Sequence, residues 1–169
     1  MTQNIIFIHG LESSGDGFKG RLLRKQLPGC LTPSFKPYIP KISIKKLLND
    51  RMEQLIPILK DKTKWIIIGS SFGGLMGVLF TLKYPLKVSK LILLAPFLSI
   101  SELIPKNFSP VNIPVIVFHG KNDNVVSINQ SLSQAEILFK NLKYNIVDDD
   151  HSLHNTVEII DWQKLIQNI

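Results

Sequence analysis

The sequence predicts an open, doubly wound α/β fold: a mostly parallel sheet of about six strands with helices on both faces. Three observations predict it. Four short apolar runs, "NIIFIH" (Asn4–His9), "WIII" (Trp65–Ile68), "LILLA" (Leu91–Ala95) and "VIVFH" (Val115–His119), are continuous, as in strands covered on both faces. The segments between them carry apolar residues at helical spacing. Strand-like and helix-like segments then alternate along the chain, as right-handed crossovers between parallel strands require.

Taken in order, Asn4–His9 ends in a Gly turn and reads as a buried first strand. Gly17–Gln26 sets Phe18, Leu22 and Leu23 on one side of a first helix, and Cys30–Thr32 is a weaker strand candidate. Ser43–Lys60 carries Leu47, Leu48, Met52, Leu55, Ile56 and Leu59, with Pro57 placed to kink or shorten the helix. A helix over Phe72–Lys83 is stopped by Tyr84-Pro85. Ser127 and Asn155 are suitable N-caps for helices over Ile128–Lys140 and Asn155–Gln167, with Tyr144–Val147 a weaker strand between them. No repeat or linker interrupts this order, and 169 residues fit one domain, 1–169.

Composition narrows the function. Hydrophobic residues are 44% and charged residues 20% of the chain, the balance of a globular protein and not of a disordered one. The net charge of +7 comes from lysines dispersed at element ends, with one group, Lys19, Arg21, Arg24 and Lys25, on the first helix. Without interleaved aromatics or a binding motif, that group reads as a solvated helix face, and no nucleic-acid partner is expected. The apolar runs are far shorter than the ~20 residues that span a bilayer, so no membrane span is expected. The N-terminus lacks a basic leader, which argues against a signal peptide. Cys30 is the only cysteine, so no intramolecular disulfide forms, and a cytoplasmic location is expected.

The chemistry-bearing residues fall at predicted strand ends, where open α/β sheets bind ligands. "HGLESSGDG" follows the first strand, "GSSFGG" follows "WIII", "HGKNDNVV" ends the Val115–His119 strand, and "DDDHSLH" ends the last. Gly69-Ser70-Ser71-Phe72-Gly73 fits G-x-S-x-G, a sharp strand-to-helix turn that needs small flanks around a nucleophilic Ser71. Its position before a helix aims free N–H groups at a developing oxyanion. No G-x-G-x-x-G abuts a strand end and no nucleotide P-loop is present, so no cofactor is expected.

These residues resemble the α/β-hydrolase superfamily, over nearly the whole chain from Asn4 to about Gln167. The likeness is greatest to short, nearly cap-less bacterial esterases with a G-S-S-x-G-G elbow and a first strand ending H-G-x-x-S-S. The resemblance implies serine-dependent hydrolysis of a small acyl ester or thioester. Ser71 then matches the nucleophile, Asp123 in "HGKNDNVV" the acid, and His151 in "DHSL" the base, with oxyanion donors in the backbone N–H groups of Leu11 and Phe72. Many relatives have histidine where Ser70 stands, and many insert a helical lid where residues 96–114 are short, so an accessible site is expected.

Other readings stand beside this one. The hydrolase fold also serves non-catalytic binding proteins. Asp148–Asp150 with His151 and His154 offer oxygen and nitrogen ligands for a metal-dependent hydrolase, but HExxH is absent and no metal is expected. Asp150 is the alternative partner for His151. His154 reads as a capping or surface residue, and His9 and His119 as structural hydrogen-bonding residues. Cys30 reads as an inert thiol, and Trp65 and Trp162 as packing residues.

Overall fold

The computed structural model describes residues 3–167. Among these, five strands form one parallel sheet in chain order: β1 (Asn4–Ile8), β2 (Trp65–Ser70), β3 (Val88–Leu94), β4 (Val111–Gly120) and β5 (Phe139–Val147). The helices are α1 (Phe18–Gln26), α2 (Ile44–Lys60), α3 (Phe72–Lys83), α4 (Ile128–Leu138), α5 (His154–Ile159) and α6 (Trp162–Gln167). The doubly wound α/β architecture is as expected. The sixth strand candidate, Cys30–Thr32, contributes only a bridge between Leu31 and Ile6. Two backbone hydrogen bonds of 2.8 and 2.9 Å hold it beside β1, and Pro33 lacks the N–H that would extend the ladder.

Strand side chains alternate between two cores. Ile6, Ile8, Ile67, Leu91, Leu93, Val115 and Val117 pack with α2, α3 and α4. Ile5, Phe7, Ile66, Ile68, Ile92 and Leu94 pack with α1, α5 and α6. Burial on both faces explains the unbroken apolar runs, each such side chain contributing roughly 1.5–3 kcal/mol. Trp65 and Trp162 are both buried, one in each core. The edge strand β5 differs: Lys140, Asn141 and Lys143 are exposed, which dilutes its apolar signal.

Four details depart from the sequence expectation. Pro57 does not shorten α2, because it lies on the exposed side beside Glu53, whose orphaned carbonyl water can satisfy. One C-terminal helix was expected over Asn155–Gln167, yet the chain breaks at Ile160. Asp161 caps a separate α6, its Oδ1 accepting the Lys164 N–H at 3.0 Å. Asn155 is not a cap: α5 starts at His154, preceded by Leu153 at φ 53°. Lys90 is not at an element end but buried within β3, donating to the Leu165 carbonyl at 2.8 Å.

The parallel register aligns the carboxyl ends of the strands. Ile8 pairs Gly69, Ser70 pairs Leu94, Leu94 pairs Phe118, and Gly120 pairs Val147. The loops carrying the candidate residues therefore leave one edge of the sheet side by side. The β3–β4 connection above that edge carries a short 3₁₀ turn, Ser101–Leu103, and leaves the edge open.

Candidate active site

Ser71 joins β2 to α3 with φ 51° and ψ −114°, a region that side-chain-bearing residues rarely adopt. The turn is held rather than relaxed. The Ser71 N–H donates to the Leu94 carbonyl at 2.9 Å, and its own carbonyl accepts from Gly74 and Phe97 at 2.9 and 3.0 Å. The flanking glycines permit this closeness. A Cβ on Gly69 would lie 2.7 Å from the Gly73 carbonyl oxygen, and one on Gly73 would overlap the Ile8 carbonyl.

The three candidate side chains meet at this turn. His151 Nε2 lies 3.0 Å from Ser71 Oγ, and His151 Nδ1 lies 2.7 Å from Asp123 Oδ2. A carboxylate only accepts, so Nδ1 carries the proton and the Nε2 lone pair faces the Ser71 hydroxyl. The Asp123 side chain is fully buried and that of His151 is partly exposed. Asp123 Oδ1 accepts from the Val125 and Val126 N–H groups, each at 2.8 Å. Burial pushes the Asp123 carboxyl up, but these N–H groups and His151 outweigh it and hold it below the usual range.

A second imidazole reaches the same acid. His119 Nε2 donates to Asp123 Oδ2 at 2.9 Å, and His119 Nδ1 accepts from the Tyr144 hydroxyl at 2.6 Å. Burial lowers the His119 pKa despite the neighbouring Asp123, so this imidazole is neutral at neutral pH. Asp123 thus accepts four hydrogen bonds, and His151 Nδ1 donates to it rather than to Asp150. Asp150 is exposed and bonds the Ser152 N–H and hydroxyl at 2.8 and 2.5 Å.

Asp149 builds the loop that carries His151. Its Oδ2 accepts from the Thr156 N–H and hydroxyl, both at 2.8 Å, and its Oδ1 accepts from the Asp150 N–H at 2.9 Å. It thereby caps the first turn of α5, which Leu153 cannot do. Gly120 admits this loop closely, since a Cβ there would lie 2.5 Å from the Asp149 carbonyl oxygen.

A cleft of about 480 Å³ opens over Ser71 and His151, walled by Leu11, Phe18, Phe72 and Phe97. Lys19 turns into this cleft, unlike Arg21, Arg24 and Lys25, which stay exposed. His154 is exposed and lies against Phe18, ring centroids 4.2 Å apart. Among the described residues, no three His, Cys, Asp or Glu side chains group in a way that could hold a metal ion. The run Gly15–Gly20 has G-x-G-x-x-G spacing beyond the first strand end. Its ends serve packing, however: a Cβ on Gly20 would overlap the Gly15 carbonyl. Burial pushes the Cys30 thiol up to about 12.

The profile of the phospholipase/carboxylesterase family matches residues 40–167. The chain belongs to this hydrolase family. No curated protein sequence matches it significantly. Solved α/β-hydrolase structures match nearly the whole of it, which shows the shared fold. Mouse alpha/beta hydrolase domain-containing protein 10 superposes with TM-score 0.76 at 20% identity, covering 99% of this chain and 90% of that one. Est1E from Butyrivibrio proteoclasticus, with ferulic acid bound, gives 0.76 at 17% identity, covering 98% and 89%. A marine microorganism esterase gives 0.72 at 16%, covering 100% and 96%.

In this α/β-hydrolase, sequence reasoning missed two contributors to the site. Asp149 was not distinguished from its neighbours, and no local pattern marks a cap acting from seven residues away. Arg51 was overlooked among the charged residues of α2. It was detectable, because Leu47, Arg51, Leu55 and Leu59 recur every four residues along the buried stripe.

Proposed function

We propose that this α/β-hydrolase is a serine hydrolase that cleaves small carboxylic esters or thioesters through an acyl-enzyme. The observation that carries the reading is the continuous hydrogen-bonded line Ser71–His151–Asp123, drawn from three separate strand-end loops at 3.0 and 2.7 Å. Ser71 Oγ attacks the acyl carbon as His151 Nε2 takes its proton. Asp123 holds the imidazole tautomer and stabilises the imidazolium. The Leu11 and Phe72 N–H groups receive the oxyanion, one such donor being worth about 3 kcal/mol. His151 then protonates the leaving alcohol or thiol, and water activated by His151 releases the acid. Phe72 begins α3 and has no carbonyl one turn back to bond, so its N–H is free for this role.

The cleft supports a short or aromatic acyl group: Phe7, Phe18, Phe72 and Phe97 line it, and the β3–β4 connection carries only the short Ser101–Leu103 turn. The ferulic acid bound to Est1E makes an aromatic acyl ester a reasonable member of the test panel. The test is hydrolysis of p-nitrophenyl acetate, butyrate, octanoate and an aryl-acyl ester, beside a matched thioester and anilide. Short and aryl-acyl esters are expected to turn over fastest and the anilide slowest. Rates no higher than those of Ser71→Ala across the panel would refute the assignment.

A further inference from the structure

Arg51 is fully buried, and every nitrogen of its guanidinium is spent on backbone carbonyls rather than on a carboxylate. Nε donates to Lys36 O at 2.8 Å, Nη1 to Gly10 O at 3.1 Å, and Nη2 to Leu11 O at 2.8 Å. Its guanidinium carbon lies 5.4 Å from the Phe72 ring centroid. One buried cation therefore touches the segments that supply both proposed oxyanion donors. On stability alone this is an expensive choice, since a charge buried without a counter-ion costs more than an apolar side chain of similar size. Burial lowers its pKa only to about 10, so it stays charged at neutral pH.

His9 completes the clamp. It is fully buried, and its Nε2 accepts the Phe35 N–H at 2.9 Å. That bond forces the proton onto Nδ1, which donates to Gly10 O at 2.8 Å. The Gly10 carbonyl thus receives two donors from the protein interior. The Gly10–Leu11 peptide is planar and trans, so its N–H points opposite to its C=O. Gly10 itself packs against the nucleophile, a Cβ there lying 3.6 Å from the Ser71 Cβ. With the carbonyl held by Arg51 and His9, the Leu11 N–H points away from both.

We infer that Arg51, with His9, is a positioning residue for the oxyanion pocket: it locks the Gly10–Leu11 peptide with its N–H toward Ser71 and keeps a buried positive charge behind the forming oxyanion. This rests on the serine-hydrolase reading above. An oxyanion site preorganised in this way binds the transition state more tightly than the ester.

The test compares Arg51→Met and Arg51→Lys with the wild type, counting active sites by fluorophosphonate titration so that misfolded protein is excluded. Arg51→Met is expected to lower kcat per titrated site about 10²-fold with KM changed less than about threefold. Inhibition by an alkyl trifluoromethyl ketone, whose adduct is an oxyanion, is expected to weaken by a similar factor. Arg51→Lys keeps the charge without the fork, and is expected to fall between the two. It also serves as the informative variant if Arg51→Met does not fold. Unchanged kcat per site and unchanged ketone affinity in whichever variant folds would overturn the inference. A second arm needs no turnover: the ¹H–¹⁵N resonance of the Leu11 amide is expected to shift in the variants, and an unmoved resonance would overturn the inference even if the serine-hydrolase reading failed.

Discussion

Asp149→Asn tests how the His151 loop is built. The wild-type carboxylate is 7% exposed and accepts three hydrogen bonds, two from Thr156 and one from the Asp150 N–H. An asparagine in the same pose can turn its oxygen to Thr156 and keep two of them. Its amide nitrogen then faces the Asp150 N–H, donor against donor. Losing one charge-assisted bond and weakening the other two costs about 2 kcal/mol. For a chain of this size that lowers Tm by about 4–8 °C. Burial pushes the Asp149 carboxyl up, but the bonds from Thr156 and Asp150 outweigh it and hold the folded pKa below the ordinary value. Its contribution is therefore complete above the unfolded pKa of about 3.9 and is lost as pH falls through the folded value. Urea titrations at pH 7 and pH 3 are expected to show a gap between wild type and variant that narrows at the lower pH. A variant within about 0.5 kcal/mol of wild type at pH 7 would refute the capping role.

Four further outcomes follow from the same geometry. Asp123→Asn is expected to reduce kcat on the order of 10⁴-fold, because the amide favours the wrong His151 tautomer. Asp150→Asn should change kcat less than about threefold, and a larger loss for Asp150 in steady-state kinetics would reverse the choice of acid. Tyr144→Phe strips the donor from His119 Nδ1 and should cost about 1–2 kcal/mol in urea titration, and an unchanged midpoint would count against a stabilising Tyr144–His119 hydrogen bond. Burial lowers the pKa of both His9 and His119, so the unfolded chain binds protons that the folded one resists. Stability is then complete above about pH 6.5 and falls as pH drops below it, and a Tm flat between pH 7.5 and 5.5 would contradict the neutral assignment of both rings.

Legibility in the sequence followed burial. β1 to β4 were readable because both of their faces are covered, so their runs are apolar except for Asn4 and the strand-end His9 and His119. β5 was only partly visible, since its outer residues Lys140, Asn141 and Lys143 meet water, and the helical pattern before it was read two residues too far. Ser71, Asp123 and His151 were readable because each sits in a short motif after a strand. The support behind them was not. Asp149 caps α5 across a loop, and His119 and Tyr144 meet only because β4 and β5 pair with Val117 opposite Tyr144. Arg51 reaches Gly10 and Leu11 from 41 and 40 residues away. Such contacts are products of tertiary packing: the four-residue stripe marks Arg51 as buried, but local spacing names none of these partners.

The central claim is that Ser71 is the nucleophile of a working triad, and covalent labelling tests it most directly. Intact-mass and peptide analysis after treatment with a fluorophosphonate is expected to show one adduct on Ser71. Ser71→Ala should carry no adduct and show no ester turnover above background. Labelling at another residue, or Ser71→Ala retaining turnover of p-nitrophenyl acetate, would contradict the account.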